Sequence, residues 1–254
     1  MTKEVSIILP AYNEADKVEH AVKRTAEELV KIGLNLNSFE IILAEDGSTD
    51  GSDLIAAELA DKYAFVKHLH SDKRLGKGNA LKKACKVAQG SIIAYFDIDL
   101  STDMRHVEEL IRAIEKDGFD FATGSRLLPE SEVKRPLKRD IPSTVYNSLV
   151  RMVLHSELHD HQCGFKASRR AALFAILDEI NDPHWFWDTE LLVRAQYHGY
   201  KVREFPVKWE QSTTTKVKFF KDVVTMGSKI ISLWWDLRRS GCPTIQKRKK
   251  KKDK

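Results

Sequence analysis

Hydrophobic positions along the chain come in short blocks whose period switches back and forth. Val5-Ser6-Ile7-Ile8-Leu9 is a compact apolar run stopped by Pro10, the pattern of a buried strand. Val18, Ala21, Val22, Ala26, Leu29 and Ile32 then recur at helical spacing, and Gly33 ends the helix. The alternation continues with a strand at 39–44, a helix at 52–62, a strand at 65–69, a helix at 77–88 and a strand at 91–96. A helix carrying Val107, Leu110, Ile111 and Ile114 and a strand at 119–123 follow. Apolar strands, each followed by an amphipathic helix, predict an α/β fold with a doubly wound, mostly parallel, Rossmann-like sheet and right-handed crossovers.

After Gly124 the rhythm breaks. Residues 127–142 are loop-like, with Pro129, Pro136 and Pro142 and the basic group Lys134, Arg135, Lys138 and Arg139. Helices at 143–155 and 170–180, a strand at 162–167, a helix at 189–198 closed by Gly199 and a strand at 202–209 follow. No repeat or linker separates the halves, so 1–216 reads as one domain. From 217 to 241 an amphipathic helix is predicted, with Phe220, Val223, Val224, Gly227, Ile230, Ile231, Trp234 and Leu237 on one face. Lys221, Lys229, Arg238 and Arg239 lie off that face, with Trp235 near its edge. Such a helix binds a membrane surface or packs on the domain or on a second copy of the chain. Residues 242–254 read as a basic disordered tail that tilts toward an anionic leaflet, with a merely solubilising tail and a nucleic-acid tail as the alternatives.

Composition narrows the picture. Apolar residues make up 42% of the 254, enough for a sizeable core. The net charge of +5 resides largely in the tail, so the body is near neutral and no nucleic-acid surface is expected. Three widely spaced cysteines fit reduced thiols better than a disulfide framework. The first strand begins almost at Met1, with no signal peptide visible, and no run reaches the ~20 apolar residues of a membrane span. The expectation is a soluble or peripheral protein.

The candidate chemistry gathers at strand ends. The 91–96 run ends in Asp97-Ile98-Asp99-Leu100-Ser101. Ligands of open α/β sheets bind outside the carboxyl ends of strands, and extended residues two apart point to the same side. Two carboxylates so placed repel each other unless a cation joins them, and a hard divalent ion takes one or two carboxylates plus phosphate oxygens. Asp97 and Asp99 are thus a candidate metal–diphosphate site; the alternative is that they end a strand and cap a helix. Pro10-Ala11-Tyr12-Asn13-Glu14 and the acids Glu45 and Asp46 follow two other strands at the same edge. Acids there accept hydrogen bonds from a base N–H or a ribose hydroxyl. Arg74-Leu75-Gly76-Lys77-Gly78-Asn79 opens a helix with a lysine and glycines, which suits a phosphate or is simply a glycine-rich helix start. Gly78 after Lys77 excludes a Walker A loop. Asp188 and Glu190 follow Trp185-Phe186-Trp187 and are either base candidates for a hydroxyl acceptor or first-turn acids favoured by the helix dipole. The aromatic cluster stacks on a sugar or lipid, or packs in the core. His155, His159, His161 and Cys163 lack the spacing of a zinc site, and Cys163 reads as a small buried residue.

Pro10-Ala11-Tyr12-Asn13-Glu14, the Glu45–Gly51 run Glu-Asp-Gly-Ser-Thr-Asp-Gly, Gly76-Lys77-Gly78-Asn79-Ala80, Asp97 through Ser101 and Gly124-Ser125-Arg126 stand in the order and spacing of family 2 glycosyltransferases with the GT-A fold. Over about 5–216 the chain resembles polyprenyl-phosphate (dolichyl-phosphate) sugar synthases. Asp160-His161-Gln162-Cys163-Gly164-Phe165-Lys166, the stretch from Trp185 to Leu192, and Pro206-Val207-Lys208-Trp209 look closest to the dolichyl-phosphate glucose synthase branch. The resemblance implies that Pro10, Tyr12, Glu14, Glu45 and Asp46 line a nucleotide pocket. It gives Asp97, the backbone of Ile98 and Asp99 to the donor diphosphate through Mg2+ or Mn2+, with Lys77 and Lys216 near the donor phosphates. Arg126, Arg139 and Ser143 would grip the acceptor's lipid phosphate. Ser101 stands where some relatives carry a further metal-side ligand, often Gln.

The implied reaction is inverting transfer of a hexose from a nucleotide sugar to a polyprenyl phosphate at the cytoplasmic membrane face. UDP-glucose is the first donor expected, then UDP-GlcNAc and GDP-mannose, and 217–254 would hold the protein to the membrane surface. The chemistry is coherent: a phosphomonoester is already anionic, with a second pKa near ~6, so it needs arginine forks rather than a base. The alternatives are a family 2 transferase acting on a sugar or protein hydroxyl, which needs a base, and a non-catalytic nucleotide-sugar binder.

Overall fold

The computed structural model of the chain describes residues 3–134, 140–210 and 219–239, the side chains of 140–141 and 219–225 excepted. Each apolar run of the first half forms a strand: β1 (Val5–Ala11), β2 (Phe39–Glu45), β3 (Val66–Leu69), β4 (Ile92–Phe96) and β5 (Phe121–Ser125). Between them lie α1 (Ala15–Lys31), α2 (Ser52–Lys62), α3 (Lys77–Val87) and α4 (Val107–Glu115). The second half contributes β6 (Glu132–Lys134), α5 (Asp140–Leu154), β7 (Phe165–Arg169), α6 (Arg170–Ile176), α7 (Trp187–His198), β8 (Val202–Pro206), β9 (Lys208–Glu210) and α8 (Phe219–Arg239).

Seven strands form one sheet in the order β3-β2-β1-β4-β7-β5-β8. β1 and β2 pair in parallel from Val5 opposite Phe39 to Ala11 opposite Glu45, so both deliver their last residues to one rim. β7 is reversed between β4 and β5, with Phe96 opposite Phe165. The reversal brings the start of β7, not its end, to the rim where β4 runs into Asp97. The stretch 202–209, which its pattern predicts as one strand, is two. The chain turns at Val207, and β9 leaves the sheet to pair in parallel with β6. The loop-like stretch 127–142 therefore holds a strand and the start of α5; three residues are too few for a period to register.

Strand alternation distributes the core over both faces of the sheet. Ile7, Leu9, Ile41, Leu43 and Phe96 pack with Val18, Val22, Leu110 and Ile114 of α1 and α4. Ile8, Ile42, Ile93 and Tyr95 pack with Leu81, Leu173, Trp187 and Leu191 of α3, α6 and α7. A third cluster joins Val150 and Leu154 of α5 and Val193 and Tyr197 of α7 to Ile230, Leu233 and Leu237 of α8. α8 thus lies on the domain, held also by ion pairs of Asp236 with Arg194 (2.5 Å) and of Lys229 with Asp182. Its outer face carries Ile231, 56% exposed, and Trp235, 58% exposed. The apolar spacing puts Ile231 on the same stripe as Ile230; packing instead turns Ile231 out and Leu233 in. Among the described residues no helix is long and apolar enough to cross a membrane.

Candidate active site

The loops after β1 and β2 are laced into one unit at the rim. Asn13 holds a left-handed backbone (φ 53°), as does Leu100 (φ 48°) beyond Asp99. Non-glycine residues keep such a conformation only where their surroundings impose it. Around Asn13 those surroundings are clear: its side-chain oxygen accepts the Thr49 N–H (2.8 Å), and its own N–H donates to Ser48 Oγ (3.0 Å). The Glu14 N–H donates to Ser52 Oγ (2.9 Å) and the Ala15 N–H to Asp50 Oδ2 (3.1 Å). Pro10, Tyr12 and Glu14 are half-buried along this seam, and the Arg74 guanidinium lies 4.0 Å over the Tyr12 ring.

The two acids after β2 part company. Asp46 is buried and its carboxylate accepts the N–H groups of Leu75 (2.6 Å) and Gly76 (2.9 Å), fixing the approach to α3. Glu45 turns toward β3, where its carboxylate meets His70 Nδ1 at 2.6 Å and accepts the Ser48 N–H. A nucleotide that used Glu45 would have to compete with both partners.

The start of α3 departs from the phosphate-loop expectation. The Gly78 and Asn79 N–H groups donate to the Pro183 carbonyl, at 2.9 and 3.4 Å, so these two helix-start amides are occupied by protein. Gly76 is left-handed (φ 93°), and a Cβ there would meet His184 Nδ1 at 2.2 Å. What reaches the rim from this segment is the Lys77 side chain. Its Nζ lies 2.7 Å from Asp97 Oδ1 and 3.6 Å from Asp188 Oδ2, and 5.0 Å over the Trp185 ring. Burial alone would lower the Lys77 pKa, but the two carboxylates outweigh it and hold the ammonium charged.

Asp188 sits one layer below. Only 2% exposed, it accepts the Tyr95 hydroxyl (2.5 Å) and the Lys166 ammonium (2.9 Å). Burial pushes its carboxyl up, yet Lys166 and Lys77 pull harder and leave it below the usual range. Enclosed and ionised between two ammonium groups, Asp188 lacks the access a general base needs. Its neighbour Glu190 is buried as well and binds Arg194 (2.9 Å) and the amides of Asn181 and Asp182. Of the aromatic cluster, Phe186 and Trp187 are core while Trp185 stays 48% exposed beside Lys77.

The 160–166 stretch supports the site with nearly every residue. Asp160 is fully buried and grips Arg126 with a fork, Nε at 2.7 Å and Nη2 at 3.0 Å. Burial would raise the Asp160 carboxyl, but the Arg126 charge and hydrogen bonds hold it far below its ordinary value. One edge of the Arg126 guanidinium, Nε with Nη2, is thereby engaged, and its central carbon lies 5.6 Å from the centre of the Trp209 ring. His161 bridges Ser156 Oγ (2.7 Å) and Asn147 Oδ1 (2.8 Å) of α5. Gly164 closes on Asp97: its carbonyl accepts the Asp97 N–H (2.9 Å), and a Cβ there would stand 1.9 Å from Asp97 Oδ2. Lys166, 1% exposed, reaches Asp188 and the Cys163 carbonyl. Burial pushes the Cys85 and Cys163 thiols up to about 12, which makes both inert at neutral pH.

Asp99 is exposed at the rim and accepts the Ser101 N–H (3.1 Å). The surrounding protein, and then the Asp97 charge, raise its carboxyl above the ordinary range. Two carboxylates in mutual repulsion, all oxygen donors and open on one side, fit a hard divalent cation. The Ser101 hydroxyl is buried with no hydrogen-bond partner among the described residues. Ile98 is buried, and Ser143 is half-buried on α5, where its carbonyl accepts the Asn147 side-chain amide (2.9 Å). Arg139 and Lys216 lie outside the described residues. Lys166, Gly164 and Tyr95 were not singled out as site residues by sequence reasoning. The available signal was Lys166 itself, a lysine inside an apolar strand, which demands a partner.

The family model described as glycosyl transferase family 2 matches residues 6–177, more than half of the chain. The chain belongs to glycosyl transferase family 2. The glycosyltransferase AglD of Haloferax volcanii is 51% identical over 92% of the chain, which spans only 37% of that protein. A dolichyl-phosphate beta-glucosyltransferase of Trichomonas vaginalis is 32% identical over 84% of the chain and 68% of its own length. The dolichyl-phosphate beta-glucosyltransferase of Homo sapiens is 27% identical over 91% of the chain and 74% of its own length. Among solved structures, glucosyl-3-phosphoglycerate synthase from Mycobacterium tuberculosis, in complex with Mn2+, UDP and glucosyl-3-phosphoglycerate, overlays with a TM-score of 0.64 at 18% identity. That overlay covers 95% of this chain and 81% of the other. The likeness establishes a shared fold, the GT-A fold, and the family 2 domain here carries its acidic pair on the rim of that sheet.

Proposed function

We propose that this family 2 domain transfers a hexose, with UDP-glucose as first donor, to the phosphate of a dolichyl or other polyprenyl phosphate, with inversion. The observation that carries the reading is the rim pair itself: Asp97 and Asp99 stand side by side at the end of β4, with the Lys77 ammonium drawn to Asp97 at 2.7 Å. Relatives named dolichyl-phosphate beta-glucosyltransferases, and a structural neighbour solved with UDP and Mn2+, support it.

Mg2+ or Mn2+ held by Asp97 and Asp99 would supply positive charge for the departing diphosphate. Pro10, Tyr12, Glu14 and Asp46 line the nucleotide side, and Glu45 shapes it from behind. Lys77 can turn to the donor phosphates without losing its second partner, because Asp188 stands behind it; Asp188 is then a positioning residue. Arg126, oriented by Asp160 on one edge, has another edge to offer the lipid phosphate; Ser143 and Arg139 are proposed for the same phosphate and Lys216 for the donor's. The attacking phosphate oxygen is already an anion, with a second pKa near ~6, so an enclosed Asp188 is no obstacle. The exposed Ile231 and Trp235 of α8 and the basic composition of 242–254 support a position on the cytoplasmic membrane face.

The test is a donor screen with labelled nucleotide sugars, a short polyprenyl phosphate, and Mn2+, Mg2+ or EDTA. UDP-glucose is expected to give a labelled lipid that EDTA abolishes, and Asp99→Asn to lower turnover roughly 100-fold or more. Transfer to a hydroxyl acceptor but not to the lipid phosphate, or full metal-dependent turnover by Asp99→Asn, overturns the reading.

A further inference from the structure

At one edge of the sheet, three strands away from β4, the edge strand β3 brings a second set of metal-ligating side chains together. One ligand atom from each of Glu45, His68 and His70 lies within 4.8 Å of the others. His68 and His70 are two apart at the end of an extended strand, so they project to one side. Register places His68 opposite Leu43, two residues before Glu45 at the end of β2. The Glu45 carboxylate is wholly enclosed, while His70 is 44% exposed and leaves the group open to solvent on one side. His68 Nε2 is buried with no hydrogen-bond partner among the described residues. Native structures seldom leave such an atom without a partner.

We propose that Glu45, His68 and His70 form a second divalent-metal site, separate from the Asp97–Asp99 pair and suited to a zinc-class ion. Two imidazoles and one carboxylate are a ligand set of three-residue zinc sites that keep a fourth position open. Imidazole favours Zn2+, Co2+, Ni2+ or Cu2+, whereas the all-oxygen rim pair favours Mg2+ or Mn2+. One chain would thus sort two classes of ion by donor chemistry. An ion here replaces the proton shared by Glu45 and His70, now 2.6 Å apart, and gives His68 a partner. Bond lengths of about 2.0–2.1 Å bring the three ligands closer than their present spread, which side-chain rotation achieves. The ion would clip the ends of β2 and β3 to the segment that leads, through the Asp46-held amides of Leu75 and Gly76, to Lys77. The site stands whether or not the transfer reading holds.

The experiment uses the full, untagged chain carrying Asp97→Asn and Asp99→Asn, so that the rim pair no longer binds metal. Co2+ is expected to give visible ligand-field bands of a low-coordinate N/O site, saturating near one equivalent, with Zn2+ but not Mg2+ displacing it. Adding His68→Gln or His70→Gln should weaken Co2+ binding at least about 100-fold. His70 is at the surface, so His70→Gln keeps the fold, and far-UV circular dichroism checks both variants. Absence of the bands, or the same Co2+ affinity in both histidine variants, overturns the proposal and leaves Glu45–His70 as a simple clamp between strands.

Discussion

Lys166 shows how much of the site one side chain can decide. It is a cation within a buried strand, tolerated because Asp188 and the Cys163 carbonyl meet it. Removing Lys166 leaves the buried Asp188 carboxylate with only the Tyr95 hydroxyl and the more distant Lys77 ammonium, whereas removing both members of the pair is milder. Lys166→Met is therefore expected to cost about 3–5 kcal/mol in urea unfolding, and Lys166→Met with Asp188→Leu to recover most of it. A single variant as stable as the parent would mean that Asp188 does not depend on Lys166. At this scale the sequence was legible where function repeats a spacing. Asp97 and Asp99 are visible because they follow an apolar run at its carboxyl end, although a turn at Ile98 and Asp99, closed by the Leu100 N–H on the Asp97 carbonyl (3.0 Å), replaces the extended geometry expected for them. Gly164 was not, because its need for a missing Cβ arises from Asp97, which is distant in sequence and adjacent only in the sheet.

At the scale of elements, α8 carries the most instructive departure. Its composition fits a membrane-surface helix, yet one face is built into the domain through Ile230, Leu233 and Leu237. Packing of one face leaves the membrane proposal open for the other, because a helix has more than one face. Leu233→Ala, at 4% exposure, is expected to destabilise by about 2–5 kcal/mol. Ile231→Ser, on the outer face, should leave stability within about 0.5 kcal/mol while weakening sedimentation with anionic liposomes. Liposome binding unaffected by Ile231→Ser and Trp235→Ser would remove the outer face from the membrane reading. α3 teaches a related lesson. Glycines and a lysine at a helix start suit a phosphate, but the Pro183 carbonyl takes two of the amides, and only the Lys77 side chain serves the rim.

For the whole molecule, acid sensitivity follows from His161. Burial drives its pKa down to about 3, with Asp160 opposing and Lys166 adding to the drop. Below the ordinary histidine value near ~6.5 the unfolded chain takes up a proton that the native state refuses. Stability therefore falls with falling pH, by up to roughly 1.4 kcal/mol per pH unit between about pH 6.5 and 3. Burial lowers His68 too, in the same direction. Asp160 and Asp188, both held below the usual carboxylate range, add to the loss only below about pH 4. Urea unfolding at about pH 7, 6 and 5 should show this slope in the parent and a shallower one in His161→Gln. Identical slopes would exclude His161 as its source. The sequence by itself determined the α/β alternation of the first half and the strand-end position of the acidic pair, because periodicity and strand-end position are local properties. Only the tertiary structure decided that β7 runs backwards, that Asp160 orients Arg126, that Asp188 lies beneath Lys77, and that α8 packs on α5 and α7. Those facts are contacts between residues far apart in the chain, fixed by which surfaces bury one another and which charges must be paired inside, and no local pattern encodes them.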